Sequence, residues 1–477
     1  MDQSLRCLAE KKCQQRDRDF SWLFRNQYIL SPDETRTYPG WNKQVLAGWV
    51  LHHGTALRNC PILDANGQKV GFLLGHALTP DSTIVEDSYT IPVSVSSDRF
   101  VDVVDRSLTG LAGRYLGIIL TKGCERIYSD PVSDMPLLYD AKSRKVASSL
   151  GLVLDWAIQP NPRFPIRNVL SGKQTLSFQH SLDNEVKRGI SNHFLDLTNF
   201  SLHRHWPDVG ADFNTVHSDV SERIDQLVER LSAHLKALIN HFDCILPLTG
   251  GRDSRILLSC ALPVLDNVKE LSGYRFHNPS RVDTRIAREL LESMGYPYKQ
   301  YFKKKASVTQ LRDLRLKMGW SGARGEFAAL AMIEEYPLDH LILRGNIMEL
   351  LRANQWRKDT IGAPFRMTHG VRRLGVTVKT TSESTSKWAP HYMEWYNTLP
   401  ECARSNPYDF AFLELLLPNT QGAFLNGIER NVMINPFNDR KLIELTIGMP
   451  ISLRKDETII RSILEQTNPF LLETRFH

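Results

Sequence analysis

The apolar positions of the chain change period near its middle. From about residue 45 to 154, short apolar runs alternate with polar and turn residues, the spacing of half-buried strands. Residues 44–51, 60–64, 69–75 and 115–121 are predicted strands, and Asn66-Gly67 between Leu63 and Val70 marks a hairpin. Residues 1–35 are polar with aromatic points at Phe20, Trp22 and Phe24, which predicts a helical or irregular arm. The second half follows a helical period. Val220, Ile224, Leu227, Val228, Leu231, Leu235, Leu238 and Ile239 recur every three or four residues and predict a long amphipathic helix. Strands are predicted over 244–248, 270–275 and 340–344. Helices are predicted after Gly251 and over 283–294, the latter stopped by Gly295. Strands alternating with helices imply a parallel sheet covered on both faces, with ligands at the carboxyl ends of its strands. Residues 377–387, dominated by Ser and Thr, are expected to form a mobile loop and a candidate lid.

The densest chemistry lies in Leu248-Thr249-Gly250-Gly251-Arg252-Asp253-Ser254-Arg255, between a buried strand and a helix. Two glycines let the backbone approach a bound group, and the amides of a helix start favour an anion. Thr249 and Ser254 offer hydroxyls, and Asp253 suits a Mg²⁺ carried by a polyphosphate. The Lys of G-x-x-x-x-G-K-[ST] is absent, so this is not that phosphate loop.

A length of 477 residues suits two to three domains, and 42% hydrophobic content is that of a soluble globular protein. A net charge of +6 suits anionic ligands such as nucleotides, but no compact basic stripe points to nucleic acid. Lys303-Lys304-Lys305 is expected to be a solvated loop. Seven cysteines without a C-x-x-C pair indicate neither a zinc knuckle nor a disulfide framework, so a reducing cytoplasm is expected. No run has the length of a membrane span, and no apolar signal segment opens the chain. His203-Arg204-His205-Trp206-Pro207 is expected to be an aromatic linker rather than a histidine pair on a metal.

The glycine loop resembles the S-G-G-x-D-S pyrophosphate loop of ATP pyrophosphatases, with Thr249 for the first Ser. Asn435-Pro436-Phe437-Asn438-Asp439-Arg440-Lys441-Leu442-Ile443-Glu444 resembles the P-F-L-D-x-x-L-x-E segment of asparagine synthetases. Leu343-Arg344-Gly345-Asn346-Ile347-Met348-Glu349-Leu350 stands where that family carries G-x-G-x-D-E. Gly113-Arg114-Tyr115, Asp130, Pro136-Leu137-Leu138-Tyr139 and Val146-Ala147-Ser148-Ser149 are similar to the progression through its glutaminase domain. The chain thus resembles the asparagine synthetase-like family.

That resemblance implies an Ntn-hydrolase-like β-sandwich domain over residues 1–205 and an α/β parallel-sheet ATP pyrophosphatase (HUP-like) domain over 206–477. It implies ATP and Mg²⁺ as cofactors and amide synthesis through an acyl-adenylate. Leu248, Thr249, Gly250, Gly251, Asp253, Ser254, Ser272, Gly273 and Gly345 would bind the nucleotide. Asp253 and Glu349 would hold the metal, and Asp253, Glu349 and Lys455 would serve catalysis. Arg252 and Arg255 have no role in that pattern and are expected to be solvated or structural.

Three positions depart from the family. Asp2 stands where its glutamine-using members carry a nucleophilic Cys, so no glutamine hydrolysis is expected. Leu350 and Ile347 replace an acid and a glycine of G-x-G-x-D-E. Glu457 stands four residues before Arg461, where the family has a charge-stabilising Lys; Lys455 and Lys441 are the candidate substitutes. With the nucleophile missing, the chain resembles the branch that includes β-lactam synthetases and lasso-peptide cyclases, in which the amine belongs to the substrate itself. The expected partners are a small-molecule or peptide carboxylate and an amine, without nucleic acid or membrane; a homodimer or a partner protein stays open. The alternatives are a non-catalytic nucleotide- or partner-binding protein on the same fold, and a tRNA-modifying ATP pyrophosphatase.

Overall fold

Among the described residues, the first part of the chain forms thirteen strands. They are β1 (Tyr28–Ser31), β2 (Asn42–Leu46), β3 (Trp49–His53), β4 (Asn59–Leu63), β5 (Lys69–Leu78), β6 (Tyr89–Thr90), β7 (Ala112–Thr121), β8 (Cys124–Ser129), β9 (Leu138–Asp140), β10 (Lys145–Ala147), β11 (Lys187–Arg188), β12 (His193–Asp196) and β13 (Ser201–Arg204). This computed structural model describes residues 6–208, 210–211, 213, 219–275, 278–302, 304–321 and 334–476, without the side chains of 278 and 279. The strands build two sheets, of order β11-β9-β10-β1-β3-β2 and β13-β12-β8-β7-β5-β4-β6. Tyr28 and Leu30 of β1 share a core with Phe72, Leu74, Leu116 and Ile118 of the other sheet. Ile29, between them in sequence, joins a different cluster with Ala9, Phe20 and Leu23. The helix Phe100–Thr109 covers the far side of the second sheet through Phe100, Val104 and Leu108.

Two expectations for this half need correction. Residues 44–51 are not one strand: β2 pairs with β3 across Ala47-Gly48, both with positive φ (50 and 76°). That two-residue turn has the twist that hairpins favour, but Ala-Gly lacks the Asn-Gly signature that announces one. The N-terminal arm holds the helices Leu8–Gln15 and Phe20–Leu23 as expected, yet it ends in β1, which pairs with both β10 and β3 inside the first sheet.

The second half is a parallel sheet with crossover helices. The helix Val220–His241 leads to β14 (Cys244–Pro247), the helix Arg252–Ala261, β15 (Glu270–Arg275), the helix Asn278–Ser293 and β16 (Lys299–Phe302). Then come β17 (Leu341–Leu343) and, after a long helical excursion, β18 (Val432–Ile434). The order is β16-β15-β14-β17-β18, with every pairing parallel. Such strands are covered on both faces, hence the continuous apolar runs of β14 and β17. The chain runs outward from β14 in one direction and resumes at β17 on its other side. The carboxyl ends of β14 and β17 therefore flank the point where strand order reverses, where a crevice opens in such sheets. Residues 377–387 are not loop throughout: Ser382–Ser386 is a short helix whose N-cap, Thr381, accepts from the Ser384 amide at 3.1 Å. Among the described residues, no helix is long and apolar enough to cross a membrane.

The two halves interlock. Arg440, 4% exposed, donates to Asn192 Oδ1 (2.9 Å), the Thr109 and Ser129 carbonyls (3.1 and 2.9 Å) and Tyr115 Oη (3.0 Å). Asn438 donates to Gly113 O at 2.8 Å and accepts from Gly113 N at 2.8 Å. The 435–444 segment thus keys the parallel-sheet half into the sandwich. Glu414 adds a second joint. Burial works to raise its carboxyl, but the Arg204 guanidinium at 2.7 and 2.8 Å outweighs that and holds it below the usual range.

Candidate functional site

The glycine loop starts where β14 ends. Leu248 is buried and its amide donates to Ser272 O at 2.6 Å, which ties the loop to β15. Thr249 and Ser254 bond to one another across the turn. Ser254 Oγ lies 3.0 Å from Thr249 Oγ1 and accepts from the Thr249 amide at 3.1 Å, while Thr249 Oγ1 accepts from Gly251 N at 3.1 Å. These hydroxyls, expected as ligand donors, first of all close the loop on itself. Gly251 is the N-cap of the following helix and has no side chain to close its first turn. The amides of that turn are the groups an anion would meet.

Asp253 leaves the first turn of this helix and lies against Gly345, the second residue after β17; a Cβ on Gly345 would stand 3.1 Å from Asp253 Cβ. The two loops predicted to converge do so. Glu349, on the short 3₁₀ helix Met348–Arg352, brings a second carboxylate close enough to raise the Asp253 pKa electrostatically. Arg352, from the same turn, donates to Asp253 Oδ2 at 2.7 Å. Asp253 Oδ1 and Glu349 Oε2 are buried without a hydrogen-bond partner. Burial pushes Asp253 up to about 7, with Glu349 adding to the shift and Arg352 opposing it. Burial likewise raises Glu349. Unpaired buried carboxylate oxygens are expensive unless a cation takes them up. Among the described residues no group of three or more His, Cys, Asp or Glu is arranged to hold a metal ion. A pair of carboxylates still fits Mg²⁺, which keeps its remaining positions for water and phosphate oxygens.

The backbone around this pair is unusual. Ile347, Ala353 and Glu457 all have positive φ (72, 44 and 67°). For a β-branched residue such as Ile347 that conformation is strained. Ile347 is the N-cap of the turn that carries Glu349.

Of the candidate lysines, Lys455 borders the site. Its Nζ donates to Ala353 O at 3.4 Å, and burial, Arg373 and Arg352 lower its pKa. Lys441 does not: it is exposed and paired with Glu444 at 3.2 Å, in a cleft that also includes Pro80 and Asp105. Glu457 makes an ion pair with Arg252 at 2.9 Å, so the acid in the lysine position faces a cation on the glycine loop. Arg255 is fully buried and structural. It donates to Gly250 O (3.2 Å), Leu471 O (2.8 Å) and Arg475 O (2.9 Å), and lies 4.5 Å from the centre of the Phe476 ring.

Ser272 is buried beside Tyr336, with 3.3 Å between hydroxyls. Gly273 is hemmed in: a Cβ there would meet Leu248 O at 2.7 Å and collide with the Tyr298 hydroxyl. The histidines of 203–205 do not form a pair. His203 stacks on Phe194 at 5.2 Å, while His205 lies 2.9 Å from Thr109 Oγ1. All seven cysteines are free. The sequence reading missed Arg352 and Tyr298. Arg352 stands three residues after Glu349, a spacing that one helical turn brings together, whereas nothing local marks Tyr298. No protein-family model matches the chain, and neither does any curated protein.

Proposed function

We propose that the protein is an ATP-dependent, AMP-forming carbon–nitrogen ligase of asparagine synthetase-like type. In this reading the sandwich is an Ntn-hydrolase-like domain over residues 1–205 without glutaminase activity. The parallel-sheet half, 206–477, is a HUP-like ATP pyrophosphatase domain. One observation carries the reading: two carboxylates, Asp253 and Glu349, follow adjacent parallel strands at the reversal of strand order, and each keeps a buried oxygen unpaired.

A substrate carboxylate oxygen attacks the α-phosphorus of ATP, the bond to the β-phosphate bridge breaks, and pyrophosphate leaves. An amine nitrogen then attacks the acyl carbon, loses a proton and expels AMP. The chain's part is positioning and charge. The open helix turn after Gly251 receives phosphate oxygens. Asp253 and Glu349 would hold Mg²⁺, which neutralises polyphosphate charge. Arg352 and Lys455 contribute positive charge at the border of the site, and Ser272 and Gly273 lie toward the nucleoside. The amine comes from the substrate, a small molecule or peptide, in a reducing cytoplasm.

The test is release of AMP and pyrophosphate from Mg·ATP with a panel of amino acids, β-amino acids and peptides. Release that requires one carboxylate and disappears in Asp253→Ala is the expected result; release unchanged in Asp253→Ala ends the assignment. A second reading, nucleotide or partner binding without turnover, draws support from two contacts: Arg352 already neutralises Asp253, and Glu457 occupies Arg252. It expects Mg·ATP to bind with no AMP from any acceptor.

A further inference from the structure

A second cleft lies on the β15–β16 side of the sheet. It has a volume of about 440 Å³ and is lined by Arg275, Arg281, Arg285, Arg288, Thr284 and Gln300. Arg281, Arg285 and Arg288 lie on one face of the helix Asn278–Ser293, at spacings of four and three residues. Arg275 ends β15 at the carboxyl edge of the sheet, and Gln300 faces Gly273 in the β15–β16 register. Four guanidinium groups around one concavity repel each other. Glu289 reaches Arg285 only at 3.8 Å, with both side chains mostly exposed. Glu292 falls one turn beyond Arg288, and Asp283 faces Tyr298, whose pKa it helps to raise. Arg288 is held in place: it donates to Gln300 Oε1 at 2.6 Å and its guanidinium lies 5.7 Å from the Tyr298 ring centre. Tyr298 rests on Gly273, and Gly273 on Leu248, so packed side chains connect the cleft to the glycine loop.

We infer that this cleft is a phosphate-binding site, separate from the Asp253–Glu349 pair, that takes the phosphate group of a small phosphorylated molecule. Guanidinium forks suit phosphate oxygens, the helix start adds positive potential, and the cavity has room for a phosphate with a small body attached. That phosphate belongs either to the nucleotide itself or to a phosphorylated second substrate. The inference stands without the proposed ligase activity, because neither Asp253 nor adenylation enters it.

Isothermal titration with inorganic pyrophosphate, without metal, tests it on the full-length protein and on the pair Arg281→Gln with Arg285→Gln. The affinity should weaken by about ten-fold for each arginine removed. The pair Arg281→Lys with Arg285→Lys should keep part of the affinity, since charge survives while the fork is lost. All four arginines are exposed or on the surface of one helix, so thermal unfolding of the variants should match that of the parent. Repeating the titration on protein saturated with ATP identifies the source. Binding that persists assigns the cleft to a second substrate, and competition assigns it to the nucleotide's own phosphates. Equal affinity in the parent and the double glutamine variant overturns the inference.

Discussion

Asp253 and Arg352, 99 residues apart in sequence, meet through a 2.7 Å hydrogen bond, and only one of the two Asp253 oxygens takes part in it. The second oxygen makes the site sensitive to pH. An Asp in the unfolded chain titrates near pH ~4, whereas burial, with Glu349, raises Asp253 to about 7. The folded protein therefore keeps a proton that the unfolded chain has released. The stability from this group is full below its unfolded pKa and is lost as pH rises through about 7. Between about pH 5 and about pH 8, the Tm of the parent should fall relative to that of Asp253→Asn. Mg²⁺ should recover the difference at the upper end and have little effect at the lower, which differential scanning calorimetry reads directly. Parallel melting profiles for the two proteins would contradict the assignment.

Arg255→Lys should loosen the glycine loop from below. One ammonium cannot replace a fork that holds Gly250, Leu471 and Arg475 carbonyls at once. The loss should be on the order of 3 kcal/mol, as for charged hydrogen bonds left unmade, measured by urea unfolding. Nucleotide affinity should weaken as well, because Gly250 is no longer tethered.

Asp409 and Arg454 form an ion pair at 2.9 Å with both side chains fully buried, and Arg454 also donates to Leu350 O at 2.9 Å. Asp409→Asn leaves that guanidinium without a counter-charge and should destabilise the fold by about 3–5 kcal/mol. Hydrogen exchange should then quicken first in the turn that carries Glu349 and Arg352.

Glutamine should remain intact. Burial pushes the Cys13 thiol up to about 12 and raises Cys7 further, so neither supplies a thiolate at neutral pH. Glutamate accumulating from glutamine with Mg·ATP present would show that another nucleophile operates.

The meeting of two loops at the carboxyl ends of the strands was legible because each loop is written locally. A buried run, two glycines and an amphipathic helix announce the first loop, and an acid just after the next strand announces the second. Arg255 was not, because its partners are backbone carbonyls near the other end of the chain, which carry no side-chain signature. The 435–444 segment stood out by its pattern alone, and its work in joining the halves depends on acceptors at Thr109, Ser129 and Asn192 that only the tertiary fold brings together. β1 escaped because a strand of four residues, buried throughout, shows no alternation and offers too short an apolar run to set a period.

The Arg440 joint also limits how the molecule can move. Swinging the halves apart would strip a buried guanidinium of four acceptors at once, at roughly 1.5–3 kcal/mol for each hydrogen bond to a charged group. Rigid-body opening of one half against the other is therefore too costly to serve as the gate. A ligand at the carboxyl ends of the strands would have to enter and leave through local rearrangement of the segments that follow them.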